Sequence, residues 1–202
     1  TLCSRTVRRC PARIADLGGA VAGQLVLAEP VGRGARAGVK VTEVLGDPLA
    51  PRAFSLIAIH KHGIPHVFSE EALAEAELAA KLPLSAGQRE DLTHLPIVAI
   101  DPTDARDHDD AIWAAPDADP GNPGGSRAVV AIADVSFYVR PGGEVDREAR
   151  RRGNSVYFPD RVVPMLPHVL SSDVCSLKEG ADRAAMACHL VIDGEGRVKA
   201  WR

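Results

Sequence analysis

The sequence is poor in aromatic residues: four Phe, two Tyr and two Trp make up 4% of 202 residues. Its core must therefore rest on Val, Ile, Leu and Ala. Basic charge is not in excess either. The net charge is -3 and the pI about 6.1, which excludes a strongly basic nucleic-acid binder. Any RNA or DNA partner has to be held by local positive patches and by metal ions. The four cysteines, at 3, 10, 175 and 188, form no Cys-x-x-Cys, and no His stands at zinc-finger spacing from them. Free, reduced thiols in a cytoplasmic protein are the reading that follows. No apolar run reaches signal-peptide or membrane-spanning length, so no membrane partner is expected. At 46% hydrophobic and 25% charged the composition is that of a globular protein, and the length allows one large or two small domains. The chain starts on Thr1, and Val198 to Arg202 stop inside what reads as a strand. It is expected to be a fragment of a longer protein.

One stretch stands out against this background. Asp101, Asp104, Asp107, Asp109 and Asp110 fall within ten residues, with only Arg106 and His108 to offset them. Apolar runs lead in (Pro96 to Ile100) and lead out (Ala111 to Ala115), so the segment is pinned to a core at both ends. A solvated acidic tail would have low hydrophobicity around it. Crowded carboxylates raise one another's pKa values, and a divalent cation removes that cost. Hard oxygen ligands suit magnesium and manganese, which usually add substrate phosphates to one or two protein carboxylates. The residues thus point to a metal site for phosphate chemistry. A plain acidic surface turn is the alternative, with Asp104 as a turn former. An EF-hand is excluded: counted from Asp101 or from Asp107, no Gly stands sixth and no Glu twelfth.

The rest of the chain is read in order. Arg5, Arg8, Arg9 and Arg13 make a basic opening, read as a frayed end with phosphate contact as the alternative. Gln24 to Glu29, Val39 to Val44 and Phe54 to His60 read as three short strands, with turns at Gly32-Arg33-Gly34 and Gly46-Asp47-Pro48. That make-up suits a small β barrel. On such a third strand His60 and His62 would share a face, close to His66, and could ligate a metal; no acidic or Cys ligand completes the set. Ser69 to Leu82 reads as a helix capped by Ser69 and stopped by Pro83, with Leu73, Ala76 and Ala80 on its inner face and acids outside. A connector runs over residues 83–94.

Beyond the acidic stretch, Pro116 to Ser126 reads as a long hairpin loop and Ala128 to Asp134 as a buried strand. Asp134 either joins the metal cluster or caps a helix. Glu144 to Arg152 reads as a helix ending at Gly153, and it carries Arg147, Arg150, Arg151 and Arg152. Between Arg140 and Arg161 six Arg face four acids, so this is either a phosphate-contacting patch or a solvated helix face. Tyr157, ahead of Phe158 and Pro159, is the exposed ring that could stack a base. Ser172-Asp173 is expected to cap a short helix through Leu177. Ala187 to Asp193 and Arg197 to Trp201 read as a hairpin.

From residue 95 on, four blocks in order carry a resemblance. They are Ile97-Val98-Ala99-Ile100-Asp101 with Asp104-Ala105-Arg106-Asp107-His108-Asp109-Asp110; Ala131-Ile132-Ala133-Asp134-Val135-Ser136; Gly153-Asn154-Ser155-Val156-Tyr157-Phe158-Pro159; and Val163-Pro164-Met165-Leu166-Pro167 with Cys175-Ser176-Leu177. Together they resemble the RNB catalytic domain of the RNase II/RNase R exoribonuclease family, its RNase R branch above all. Residues 24 to about 82, including Gly63-Ile64-Pro65, resemble that family's second cold-shock-type barrel.

The fold class implied is α+β: a cold-shock/OB-like barrel followed by the N-terminal half of a mixed RNB domain. The divisions are a weakly patterned segment over 1–23, a barrel with a trailing helix over 24–90, and the RNB part over 91–202. The resemblance implies a processive hydrolytic exoribonuclease that works from the 3′ end of single-stranded RNA and releases nucleoside 5′-monophosphates. It uses magnesium, with manganese as the alternative, and no small-molecule cofactor. The family's catalytic, metal-holding aspartates fall on Asp101, Asp107, Asp109 and Asp110. Its base-stacking tyrosine falls on Tyr157, and Arg150 and Arg151 are expected to contact phosphate. His108 stands where many relatives carry an apolar residue. The family's catalytic arginine, a second clamping aromatic and a C-terminal RNA-binding barrel are expected beyond residue 202, so the rival reading is a catalytically incomplete module that grips single-stranded RNA without cutting it.

Overall fold

The structure is a computed structural model, and it describes residues 13–33, 38–84, 89–102, 105 and 107–202. Arg5, Arg8, Arg9, Cys3, Cys10, Gly34, residues 85–88, Asp104 and Arg106 lie outside the described residues. The chain divides into two compact units. The first holds residues up to Val67 together with Asn154–Val163. The second holds Phe68–Gly153 and Pro164–Arg202.

In the first unit β1 (Ile14–Asp16), β2 (Leu25–Val31) and β3 (Gly38–Gly46) form a three-stranded sheet in the order β1-β3-β2. β2 and β3 pair antiparallel, from Leu25 opposite Gly46 to Val31 opposite Gly38, and β1 runs parallel to β3. Two register shifts in the β2–β3 ladder bend it. Gly18 closes the turn after β1 at φ +53, where a Cβ would lie 2.8 Å from the Val41 carbonyl oxygen, so backbone conformation and space both require glycine. Among the described residues this sheet is open rather than a closed barrel.

The expected third strand is a helix. α1 spans Pro51–His62, with Pro in its first turn and Gly63 ending it at φ +63. Pro fixes a helical φ at the first position, and glycine accepts the left-handed turn that ends a helix; these two signals outweigh the apparent alternation of Phe54 to His60. Ala53, Ser55 and Ile59 are buried while Phe54 is 64% exposed. His60 and His62 are two positions apart on a helix, about 200° around its axis, and so do not share a face. His60 instead meets His66 edge-on at 5.0 Å between ring centres. Burial, then the His66 charge, lower the His60 pKa against the pull of Glu43. A short hairpin, β6 (Val156–Tyr157) with β7 (Val162–Val163), completes this unit.

The second unit is built on an antiparallel sheet, β4-β5-β8-β9: β4 (Asp110–Pro116), β5 (Ser126–Ala133), β8 (Ala185–Ile192) and β9 (Val198–Trp201). The expected long loop joins β4 to β5, with Pro116 opposite Ser126. Helix α2 (Glu70–Ala79) is capped by the Ser69 hydroxyl, which accepts from the Ala72 N–H. Its buried face is Ala72, Ala76 and Ala79, not the expected Leu73, which is 43% exposed. Small side chains suffice because α2 lies close against α4 (Glu144–Arg152), whose Val145 and Ala149 are buried. Glu75 accepts from the Glu144 N–H at 2.6 Å, so this acid of α2 caps a neighbouring helix rather than facing solvent. Around this contact the core gathers Ala76, Ala79, Ala133, Tyr138, Val145, Leu170, Cys175 and Ala184. The helix expected to start at Ser172 begins earlier, as a π-helical turn over Leu170–Val174, because the Pro167 carbonyl takes the Leu170 N–H and the Cys175 N–H reaches back to Leu170. No helix among the described residues is long and apolar enough to cross a membrane.

Candidate active site

The described residues of the acidic stretch ahead of β4 form no helix or strand and are fastened at the base. Val98 and Ile112 exchange both backbone hydrogen bonds, at 2.9 and 2.8 Å, which brings the lead-in segment beside β4. The loop returns at His108, whose N–H donates to the Ser176 hydroxyl at 3.0 Å and whose carbonyl accepts from the Leu177 N–H at 2.8 Å. The next carbonyl, of Asp109, accepts from Ala133 N–H at the end of β5. Asp110 opens β4 opposite Ile132. Only the lead-out flank meets a core as expected, becoming β4 with Ala111 buried; the lead-in is held by its backbone bridge instead, with Val98 and Ile100 52% and 79% exposed.

Side chains tie the loop across its mouth as well. His108 Nδ1–H donates to Asp101 Oδ2 at 2.9 Å. This links the first aspartate of the stretch to the last group of them. Asp109 shows how close the carboxylates are. Its pKa is raised first by partial burial, then by the charges of Asp107, Asp110 and Asp101, with His108 opposing. Its outer side is open to solvent, so the desolvation is one-sided. Asp101, Asp107 and Asp110 thus all bear on Asp109. Beneath them lies Cys175, 2% exposed, whose thiol is pushed up to about 12 by burial, then by Asp109 and Asp134. It is a packing group and not a nucleophile.

Hard carboxylate oxygens that repel one another are the donor chemistry a magnesium or manganese ion neutralises. Among the described residues no three His, Cys, Asp or Glu side chains already close on one ion position. The fit is one of charge and ligand type, on an anchored backbone, without a finished coordination shell.

Asp134 does not join this group. It caps α3 (Val135–Tyr138) by accepting from the Phe137 N–H at 3.2 Å, and it also accepts from Ser136 Oγ at 2.6 Å and from Arg89 at 2.7 Å. Burial works to raise its pKa, but the Ser136 and Arg89 hydrogen bonds and the Arg89 charge outweigh it, and the net shift is downward.

The arginines of α4 are engaged within their own helix. Arg147 pairs with Glu144, Arg150 with Asp146 at 3.0 Å and Arg151 with Glu148 at 2.9 Å. Arg150 and Arg151 keep most of their side chains in solvent. Arg152 turns inward, its guanidinium 3.5 Å from the Phe68 ring centre, and holds Glu148 and the Pro164 carbonyl. Tyr157 belongs to the first unit, on β6 opposite Val162, and is 65% exposed; Phe158 beside it is half-buried. Sequence reasoning gave no role to Ser176, Arg89 or Glu75. Only Ser176 carried any signal, through the Cys175-Ser176-Leu177 block.

A unit built on a three-stranded sheet with one helix, and an α+β unit whose first strand opens on an anchored carboxylate loop, define a two-unit protein with a crowded acidic site. Comparison with known proteins makes this specific. The chain belongs to the RNB domain family, whose model matches residues 89–202, and a cold shock domain model matches residues 9–69. It is 47% identical to ribonuclease R of Vibrio cholerae over 91% of its own length and 22% of that protein's. With ribonuclease R of Escherichia coli the identity is 44%, over 81% of this chain and 20% of the relative. The chain thus spans about a fifth of the length of these relatives. Among solved structures, Mycoplasma genitalium RNase R in complex with ribose-methylated single-stranded RNA superposes with a TM-score of 0.76 and 29% identity, covering 95% of this chain and 31% of that one.

Proposed function

We propose that the chain is the cold-shock and leading catalytic portion of a hydrolytic exoribonuclease that shortens single-stranded RNA from its 3′ end and releases nucleoside 5′-monophosphates. The observation that carries this is the anchored loop that brings Asp101, Asp107 and Asp110 around the partly buried Asp109. Membership of the RNB family and the likeness to an RNase R bound to RNA support it. The four aspartates are the residues to hold magnesium, with manganese as the alternative. Held there, a divalent ion would supply positive charge beside a phosphate oxygen and acidify a bound water. The chain's part is to fix the carboxylates: Ser176 and Leu177 hold the His108 backbone, and His108 orients Asp101. Tyr157 stacks a base, and Arg150 and Arg151 contact phosphates by exchanging their helix acids for the RNA backbone. The division at residues 24 and 90–91, and a cytoplasmic setting, are proposed on the same footing.

The test uses a 3′-labelled single-stranded RNA with magnesium. Asp109→Asn in the full-length protein abolishes mononucleotide release and leaves RNA binding intact, since repulsion falls while the contacts stay. Cleavage at the original rate in that variant refutes the assignment. The rival reading for this stretch alone is an RNA-gripping module that does not cut. RNA binding by the isolated chain without products selects it.

A further inference from the structure

The hairpin that carries Tyr157 stands, in sequence, between two parts of the second unit, yet it packs with the first. It is two residues deep on each side, Val156 opposite Val163 and Tyr157 opposite Val162, with the Phe158 N–H donating to the Arg161 carbonyl at 2.8 Å across its turn. A ladder that short does not hold itself in water, so its placement comes from tertiary contacts. Two are evident. Val163 is buried at 6% exposure. At the turn, the hydroxyl of Ser55 on α1 donates to Asp160 Oδ1, across 105 residues of sequence. Ser55 is itself 4% exposed and sits between Ala53 and Ile59 on the packed face of α1. The second oxygen of Asp160 accepts from Arg161 at 3.0 Å. A buried hydroxyl on a rigid helix facing a carboxylate at a hairpin tip is a fixed strut, whereas the Tyr157 ring it steadies is mostly in solvent.

We infer that Ser55 and Asp160 are positioning residues: through the hairpin turn, the helix of the cold-shock unit sets where the Tyr157 ring stands and so how well it stacks an RNA base. This rests on the reading of Tyr157 as a stacking residue. An RNA strand would then meet a ring aimed by the unit that carries β1–β3 and α1.

The experiment uses the 202-residue chain in EDTA, with a single-stranded RNA whose 3′-terminal base is 2-aminopurine. Quenching at saturating protein reports stacking, the titration reports affinity, and amide exchange over 156–163 reports the hairpin. Tyr157→Ala removes the quench and weakens binding by about 5- to 150-fold, the range for one lost base–aromatic stack. Ser55→Ala and Asp160→Ala each lower the quench, weaken binding by no more than Tyr157→Ala does, and speed amide exchange by about 10- to 150-fold, as for loss of one hydrogen bond to a charged acceptor. Asp160→Asn, which still offers an oxygen to Ser55, restores the quench. The double variant S55A/Y157A binds as Y157A does, because the two act through one ring. Full quenching in Ser55→Ala and Asp160→Ala, or losses that multiply with Y157A, overturn the inference. A quench unchanged by Tyr157→Ala itself overturns the stacking reading, and the inference with it, even where exchange in Ser55→Ala speeds up.

Discussion

Replacing Ser176 by Ala tests whether the acidic loop is held from below. Ser176 is fully buried, and its hydroxyl is the acceptor for the His108 N–H at 3.0 Å. Alanine fills nearly the same space, so packing barely changes and the variant isolates the hydrogen bond. What remains is an amide donor in a partly buried place with nothing to bond, a loss of about 1–2 kcal/mol. That is about a 5- to 30-fold shift between closed and open loop. The shift is local, because Val98–Ile112 and Asp109–Ala133 still hold the loop's other attachments. Amide exchange at His108 and Leu177 should accelerate by that factor while amides in the middle of β5 keep theirs. In the full-length protein the magnesium concentration for half-maximal cleavage should rise as well, since fewer molecules present the carboxylates together at any moment. Unchanged exchange at both amides, with the fold intact by circular dichroism, refutes the reasoning that Ser176 anchors the loop.

Other outcomes follow from the same structure. Asp109 has a folded pKa raised by burial and by its neighbours, so the folded chain takes up a proton there more readily than the unfolded one. Stability at this site is full below the unfolded aspartate pKa and is lost as pH rises through the folded value. Asp109→Asn should thus raise the melting temperature at pH 7, with the gain fading on acidification below about pH 4; a lower melting temperature at pH 7 contradicts this. Asp117 behaves oppositely: the hydrogen bonds from Arg127 and Asn122 hold it down at about 2. Its contribution is present above the unfolded pKa and lost as pH falls towards that value, so Asp117→Asn should flatten the acid limb of the stability profile measured by urea titration at pH 2 to 5. Gly18→Ala meets both a φ of +53 and a carbonyl oxygen 2.8 Å from the new Cβ. It should destabilise the first unit by more than about 1 kcal/mol, read as a lower urea midpoint for that unit; an unchanged midpoint shows that β1 is not held as described.

Much of the second unit was legible because its signals are local. The Ser69 cap, the Gly153 stop, the Pro/Gly loop between β4 and β5 and the Gly194–Gly196 turn each act within a few residues, and each element formed where its signal stood. The misreadings came where two local signals competed or where the deciding contact was distant. Phe54 to His60 alternate in bulk, but Pro51 and Gly63 delimit a helix and prevailed. Leu73 was favoured for the core by its hydrophobicity, yet the close approach of α2 and α4 leaves room there only for alanine. Nothing near Glu75 or Ser55 in the sequence announces partners roughly seventy and a hundred residues away.

The sequence by itself determined which groups are available: a run of aspartates between apolar flanks, and the ordered blocks that mark the RNB family. Residue type and spacing suffice for that, since ligand chemistry and charge crowding belong to the side chains themselves. Tertiary structure decided what holds those groups. It gave the loop its anchor at Ser176, brought Arg89 onto the Asp134 cap, set Glu75 against the start of α4 and attached the Tyr157 hairpin to α1. Such assignments depend on which polar groups meet once water is removed, and chain folding alone sets those meetings.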